Sequence, residues 1–315
     1  MKPSDVLGCA GGALFLLLTS QLIPLVGLLS GLLTPLPFLY YSVKLGRAEG
    51  VKVAFISFLA LLLVTYIAGF VRAMFLCAEF GLLGLVLAEL YRRKSDIGAV
   101  VLWGTVSLVV VGFGFLVMIG LSRNAGPLSL VLDYFRSNLD TSIRGYEQLG
   151  LSAESVRRMQ NYARVLTGII ERIYPALVII GSSVVVWANV LVSVRLLRAR
   201  GLSEPEFGPL DRWRAPERLV WGGIAAGFAS FLPWEGVTFL AVNALVVLGA
   251  MYGFQGLSIL QFFMNKARIS RTFRIAAYGL ILIQQYLLAG MVLLGLFDQW
   301  FDFRKIGGAQ VSSED

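Results

Sequence analysis

Gln255, Ser258, Gln261 and Asn265 recur at spacings of three and four within Tyr252–Lys266, a largely apolar stretch. At about 100° per residue they fall within roughly 120° of one another, a polar stripe on one helix face. Amides and hydroxyls neither ionise nor attack at neutral pH. Their chemistry is hydrogen bonding, to neighbouring helices or to a small ligand in a dry pocket. Upstream, Ser182, Asn189 and Ser193 lie within about 40° of each other on a second apolar segment. Asn243, Gln284 and Gln285 add further polar groups. Two readings stand side by side: interhelical bonds of about 0.6 kcal/mol each, or a polar interior lined by these residues that holds a small solute or lipid.

Glu79 is the one carboxylate well inside an apolar segment. An acid at that depth binds a cation, takes a proton or pairs with an arginine such as Arg72. Glu89 lies one turn from Arg92 and Arg93 and is expected to pair with them. The chain has no histidine and two cysteines, which excludes histidine acid–base chemistry, Ser-His or Cys-His nucleophile pairs and nearly all zinc sites. Cys9 and Cys77 fall in apolar segments, where a thiol is mostly a small hydrophobe. Val6-Leu7-Gly8-Cys9 imitates a lipoprotein cleavage box without the apolar core that must precede one, so an uncleaved N-terminus is expected. No phosphate-binding glycine loop of either common kind is present. The expectation is no enzyme, no cofactor and no metal site.

These residues sit in a chain of 315, 57% hydrophobic and 15% charged, against about 45–50% and about 25% in soluble domains. Mean hydropathy is +0.77, and apolar runs of membrane-crossing length recur from end to end. The net charge of +8 lies in short loops between those runs, as the positive-inside rule produces, and points to lipid headgroups rather than nucleic acid.

Val6–Tyr41 is too long for one crossing and slightly short for two. A hairpin turning near Gln21–Pro24 is favoured over one span plus a re-entrant piece. Val51–Phe70, Met74–Leu90 and Val100–Leu121 read as the third to fifth spans. A long connection follows, with an amphipathic Leu128–Leu139 and a helix capped by Ser152 that meets Pro175. Ala176–Leu197, Leu219–Leu232, Val237–Phe263 and Ile275–Phe297 complete an all-α polytopic transmembrane bundle of about nine spans. The expected divisions are 1–121, a five-span bundle; 122–174, an extracytoplasmic helical connection; 175–305, a four-span bundle; and 306–315, a flexible tail.

The loops near 44–52, 91–96, 195–218 and 264–274 are basic and alternate with nearly uncharged turns. This predicts a bacterial inner-membrane protein with a cytoplasmic N-terminus and an outer C-terminus. Asp298, Asp302, Arg304 and Lys305 are expected to form a salt-linked cap on that outer side. Gly249, Gly253 and Gly256 have the spacing that lets another backbone approach. Trp213, Arg214 and Glu217, in the 195–218 loop, are either a docking site for a protein partner or, with Pro216, the start of the next helix.

Trp213–Trp221, Tyr252–Lys266 and Leu294–Lys305, with Leu33–Gly46 and Phe80–Arg93, resemble the YybS-like bacterial membrane proteins, a family (domain of unknown function 2232) without an assigned activity. The N-terminal half of that family is similar to the substrate-binding subunits of energy-coupling-factor vitamin transporters, which implies a helical bundle. No motif of those subunits is present onto which their binding residues carry over, and the spans after Tyr174 depart from that architecture. The expected function is binding or transport of a small solute or lipid. The alternative is a membrane scaffold for envelope or signalling proteins.

Overall fold

A computed structural model describes residues 2–148 and 152–305. All regular structure among them is helical: α1 Pro3–Leu22, α2 Pro24–Leu32, α3 Pro35–Leu45, α4 Arg47–Ile67, α5 Val71–Arg92, α6 Ile97–Arg123, α7 Pro127–Gln148, α8 Ala153–Ala199, a 3-10 turn at Leu210–Arg212, α9 Leu219–Ala229, α10 Glu235–Lys266, α11 Arg271–Ile283 and α12 Gln285–Phe301. The chain divides into two compact units. The first comprises Met1–Thr167 and Gly181–Glu206, the second Gly168–Ile180 and Phe207–Asp315. The expected tail, 306–315, lies outside the described residues.

Among the described residues six helices are long and apolar enough to cross a membrane, or seven if the bent pair α11–α12 is one span. That falls short of the expected nine because prolines and polar residues cut several apolar runs. With 9, 11 and 11 residues, α2, α3 and α9 are each too short, at about 1.5 Å per residue, for a hydrocarbon core of about 30 Å.

In the first unit α1 and the α2–α3 run pack as the two arms of a hairpin, of which only α1 is long enough by itself for the span expected of each arm. Lys44 Nζ pairs with Asp5 Oδ1 at 2.8 Å at the open end. Gly12 faces Pro37, and Gly27 lies against the Ser20 backbone near the turn. The side chains of Gln21 and Pro24 lie outside the described residues, but the break itself is at Ile23, where Pro24 opens α2. From α2 to α3 the chain is carried by i→i+3 bonds, Leu33 N–H to Ser30 and Thr34 N–H to Gly31. The core gathers Cys9, Ala13, Leu17, Phe38, Val53, Leu61 and Cys77. Glu89 takes Arg92 and Arg93 at 3.1 Å each, with Arg47 at 3.6 Å.

α8 is one helix of 47 residues with Pro175 inside it, and the Ser152 hydroxyl caps it by accepting from Ser155 N–H. A proline there removes one ladder donor and crowds the carbonyls a turn before it. The second unit answers with Asn243 of α10. Its Oδ1 accepts from Ala176 N–H at 2.9 Å, and its Nδ2 donates to the Arg172 carbonyl at 2.8 Å. These are the two ends of a single i→i−4 position, so the amide satisfies the backbone where the helix is interrupted.

Two expectations are corrected in this unit. Ile275–Phe297 is not one straight span: Gln284 is extended, and the axis turns by 102° between α11 and α12. The segment 298–305 also does not lie opposite the 264–274 loop. Arg304 donates to Ser258 and to the Asp211 carbonyl, while the Asp211 carboxylate accepts from Asn265, next to Lys266 at the end of α10. The salt-linked cap therefore lies toward the same end of α10 as the basic loop, the chain having turned by 102° between α11 and α12.

Candidate functional site

Leu210–Pro216 runs alongside α10 with no more regular structure than the 3-10 turn Leu210–Arg212, so most of its backbone polar groups need partners from elsewhere. Non-helical backbone at membrane depth persists only where protein or water satisfies it. The α10 stripe supplies that need. Gln255 Oε1 accepts from Ala215 N–H at 3.0 Å and from Gln299 Nε2 at 3.1 Å, and Gln255 Nε2 donates to Asp298 Oδ2 at 2.9 Å. The Ser258 hydroxyl donates to the Leu210 carbonyl at 2.7 Å. Arg304 Nη1 donates to the carbonyls of Asp211 and Trp213 and to Ser258 Oγ, and its Nη2 reaches Asp298 Oδ2 at 2.8 Å. Both side chains of that ion pair are fully buried, 0% exposed.

The stripe is thus largely occupied by the protein's own backbone. Asn265 bonds Asp211 and accepts from Arg274. Gln261 is half-buried, and Gln284 and Gln285 are exposed at the α11–α12 bend. In the first unit, Asn189 donates to the Leu32 carbonyl at 2.7 Å, beside the α2–α3 break, and the Ser193 hydroxyl meets Tyr91 Oη at 2.7 Å. Ser182 is half-buried, and its neighbour Ser183 bonds Thr105 at 3.1 Å. The sequence-derived set is divided between the two units. Glu79, Ser182 and Asn189 belong to the first unit, and the residues from Gln255 to Gln285 to the second.

Of the three docking candidates, Arg214 turns inward. Its Nη2 donates to the Asp298 carbonyl at 2.8 Å and lies 3.6 Å from Asp302. Trp213 is half-buried, and Glu217 is exposed.

Glu79 is half-buried on α5, its Oε1 3.0 Å from where a Cβ would stand on Gly112 of α6. One turn away Phe75 packs edge-on against Phe115, with centroids 5.2 Å apart. Among the described residues Glu79 has no ion-pair partner; the Arg72 side chain lies outside them. An unpaired polar group in such surroundings destabilises by about 1–3 kcal/mol. Glu79→Gln is therefore expected to raise detergent-solubilised stability by that order, read as a higher Tm. A lowered Tm would mean that the carboxylate is held by a bond the substitution breaks.

The second unit holds a cavity of about 670 Å³ that the sequence did not reveal. Arg172 and Glu235 line it, with Leu232, Pro233, Phe239 and Val242. The available signal was a pair of prolines, Pro175 and Pro233, each within three residues of a charge in an otherwise apolar setting.

Long apolar helices, with interruptions closed by buried amides and a buried ion pair, define a multi-pass helical membrane protein. The sequence pattern of the family described as "Predicted membrane protein (DUF2232)" matches residues 13–299, and the chain belongs to that family. It is 22% identical over 285 residues to the "Uncharacterized protein YybS" of Bacillus subtilis (strain 168), covering 90% of each chain. No solved structure matches it.

Proposed function

We propose that the protein binds, and as part of a cycle transports, a small solute or lipid, in a bacterial inner membrane with its N-terminus cytoplasmic. The observation that carries this is the second unit's cavity. Its 670 Å³ lies within the roughly 300–1,000 Å³ of small-molecule sites, and its apolar wall with few polar groups has their composition. It lies beside interrupted backbone at Pro175, and the same unit contains the bent α11–α12 pair and the non-helical Leu210–Pro216. Discontinuous elements of this kind accompany substrate sites in many transporters. The resemblance of the N-terminal half to vitamin-binding transporter subunits supports a binding role in kind; as fold analogy it names no substrate.

The scaffold reading has less support. Two of its three docking residues are engaged internally or half-buried, which leaves the exposed Glu217.

The test is a thermal-shift screen of the purified protein against vitamins, nucleosides, lipids and ions. A ligand at a hundred times its dissociation constant is expected to add about 2.7 kcal/mol, and Val242→Trp, which pushes an indole into the cavity, is expected to abolish that shift. A ligand whose shift survives in a well-folded Val242→Trp protein would place the site elsewhere. A screen without any hit would turn the assignment toward the scaffold.

A further inference from the structure

Arg172 and Glu235 face one cavity, and among the described residues neither side chain makes an ion pair or a hydrogen bond there. Each is presented from a fixed position. The Arg172 carbonyl is held by Asn243 at 2.8 Å. The Thr238 hydroxyl donates to the Leu232 carbonyl at 2.9 Å, closing the turn that delivers Glu235. Phe239, tilted against Tyr174 with centroids 6.1 Å apart, forms an apolar wall. A carboxylate in the first turn of α10 complements the helix dipole, which accounts for Glu235 by itself. It does not account for an arginine on the same cavity, unpaired with that carboxylate.

Two opposite charges that line one space, both exposed to it and not paired with each other, are complementary to a molecule that carries both. We propose, resting on the binding role above, that the cavity takes a short zwitterion, its ammonium against Glu235 and its anionic group against Arg172. The guanidinium fork matches a phosphate or carboxylate with two parallel hydrogen bonds. A ligand with only one charge would leave the other wall group unanswered, so discrimination follows from the unsatisfied partner. Aminoethyl phosphate chemistry fits this description and has two sources, a free solute or the headgroup of phosphatidylethanolamine.

The experiment measures binding of phosphoethanolamine, ethanolamine and inorganic phosphate to the full-length protein in detergent, beside Tm in phosphatidylethanolamine and in phosphatidylglycerol nanodiscs. Phosphoethanolamine is expected to bind at least tenfold more tightly than either single-charge probe, or the phosphatidylethanolamine discs to raise Tm over phosphatidylglycerol. Arg172→Gln and Glu235→Gln are each expected to erase that preference. A preference in the soluble arm assigns the site to a free zwitterion, and one confined to the discs assigns it to a lipid headgroup.

A preference unchanged in both variants, or equal binding of all three probes together with equal Tm in the two kinds of disc, would overturn the proposal. So would the absence of any zwitterion preference in either arm. If a ligand from the broader screen is still displaced by Val242→Trp, the zwitterion assignment falls while the binding role stands. If no ligand responds to Val242→Trp, both fall.

Discussion

Asp298→Asn is expected to cost about 3–5 kcal/mol, the range for removing one partner of a buried ion pair. Asp298 Oδ2 receives Arg304 at 2.8 Å and Gln255 at 2.9 Å, and its Oδ1 receives Phe303 N–H at 3.0 Å. Neutralising it leaves the Arg304 guanidinium, 0% exposed at the side chain, without its closest counter-charge; Arg214 stands 3.6 Å from the same carboxylate. Replacing both partners of a buried pair by apolar residues is often nearly neutral. Here Asp298→Leu with Arg304→Met is expected not to recover stability, because Arg304 also serves the carbonyls of Asp211 and Trp213 and these would be left bare. Arg304→Lys is expected to fail in part, since one ammonium cannot reproduce a planar fork reaching several acceptors. Thermal unfolding of the purified protein reads the stability. Limited proteolysis across 208–218 reads whether the loop has come loose. A double variant as stable as the native protein would show that the carbonyls are served by other donors.

This ion pair also separates what the sequence disclosed from what it withheld. Asp298, Asp302 and Arg304 read as a salt-linked cap from proximity alone; Asp298 and Arg304 do pair, while Asp302 faces Arg214 from the 195–218 loop. Their depth and side could not be read, because hydropathy scored Ile275–Phe297 as one apolar run. Gln284 interrupts that run with an extended backbone, and two adjacent amides in a long apolar stretch carry little weight in any average. The stripe on α10 was visible through its period. Its partners were not, since Leu210–Pro216 packs on it with backbone groups, which every residue possesses and no pattern marks. Asn189, Gln255 and Asn243 illustrate the same limit. Each was recognised as a polar residue in an apolar segment, yet each serves a backbone interruption that only the fold brings to it. The Arg172–Glu235 cavity required Arg172 and the turn at Leu232–Gly236, distant in sequence, to meet, a tertiary fact with no local periodicity.

The packing of α10 on α12 gives the other large effect. A Cβ on Gly256 would collide with the carbonyl of Met291, and one on Gly295 with the carbonyl of Tyr252, both nearer than the 3.0 Å that real Cβ atoms keep. Backbone atoms cannot swing aside like the end of a side chain, so the helices must separate, and overpacking that moves a backbone costs more than the usual 1–3 kcal/mol. Gly256→Ala and Gly295→Ala are each expected to destabilise by more than about 3 kcal/mol. The damage should spread to Gln255–Asp298, whose 2.9 Å bond spans the same interface. The sequence pointed to Gly249, Gly253 and Gly256 together, but only part of that spacing is used. Gly253 meets Val292 at an ordinary 3.5 Å, and Gly249 has open space around it. Gly249→Ala is therefore the internal control. It is expected to leave stability unchanged or raise it by up to about 1 kcal/mol, the helix propensity difference between the two residues. Tm values for the four single variants, with Gly253→Ala between the extremes, test the ordering. If Gly295→Ala were as stable as Gly249→Ala, α10 and α12 would not be in backbone contact, and the support they give to the Asp298–Arg304 pair would have to come from elsewhere.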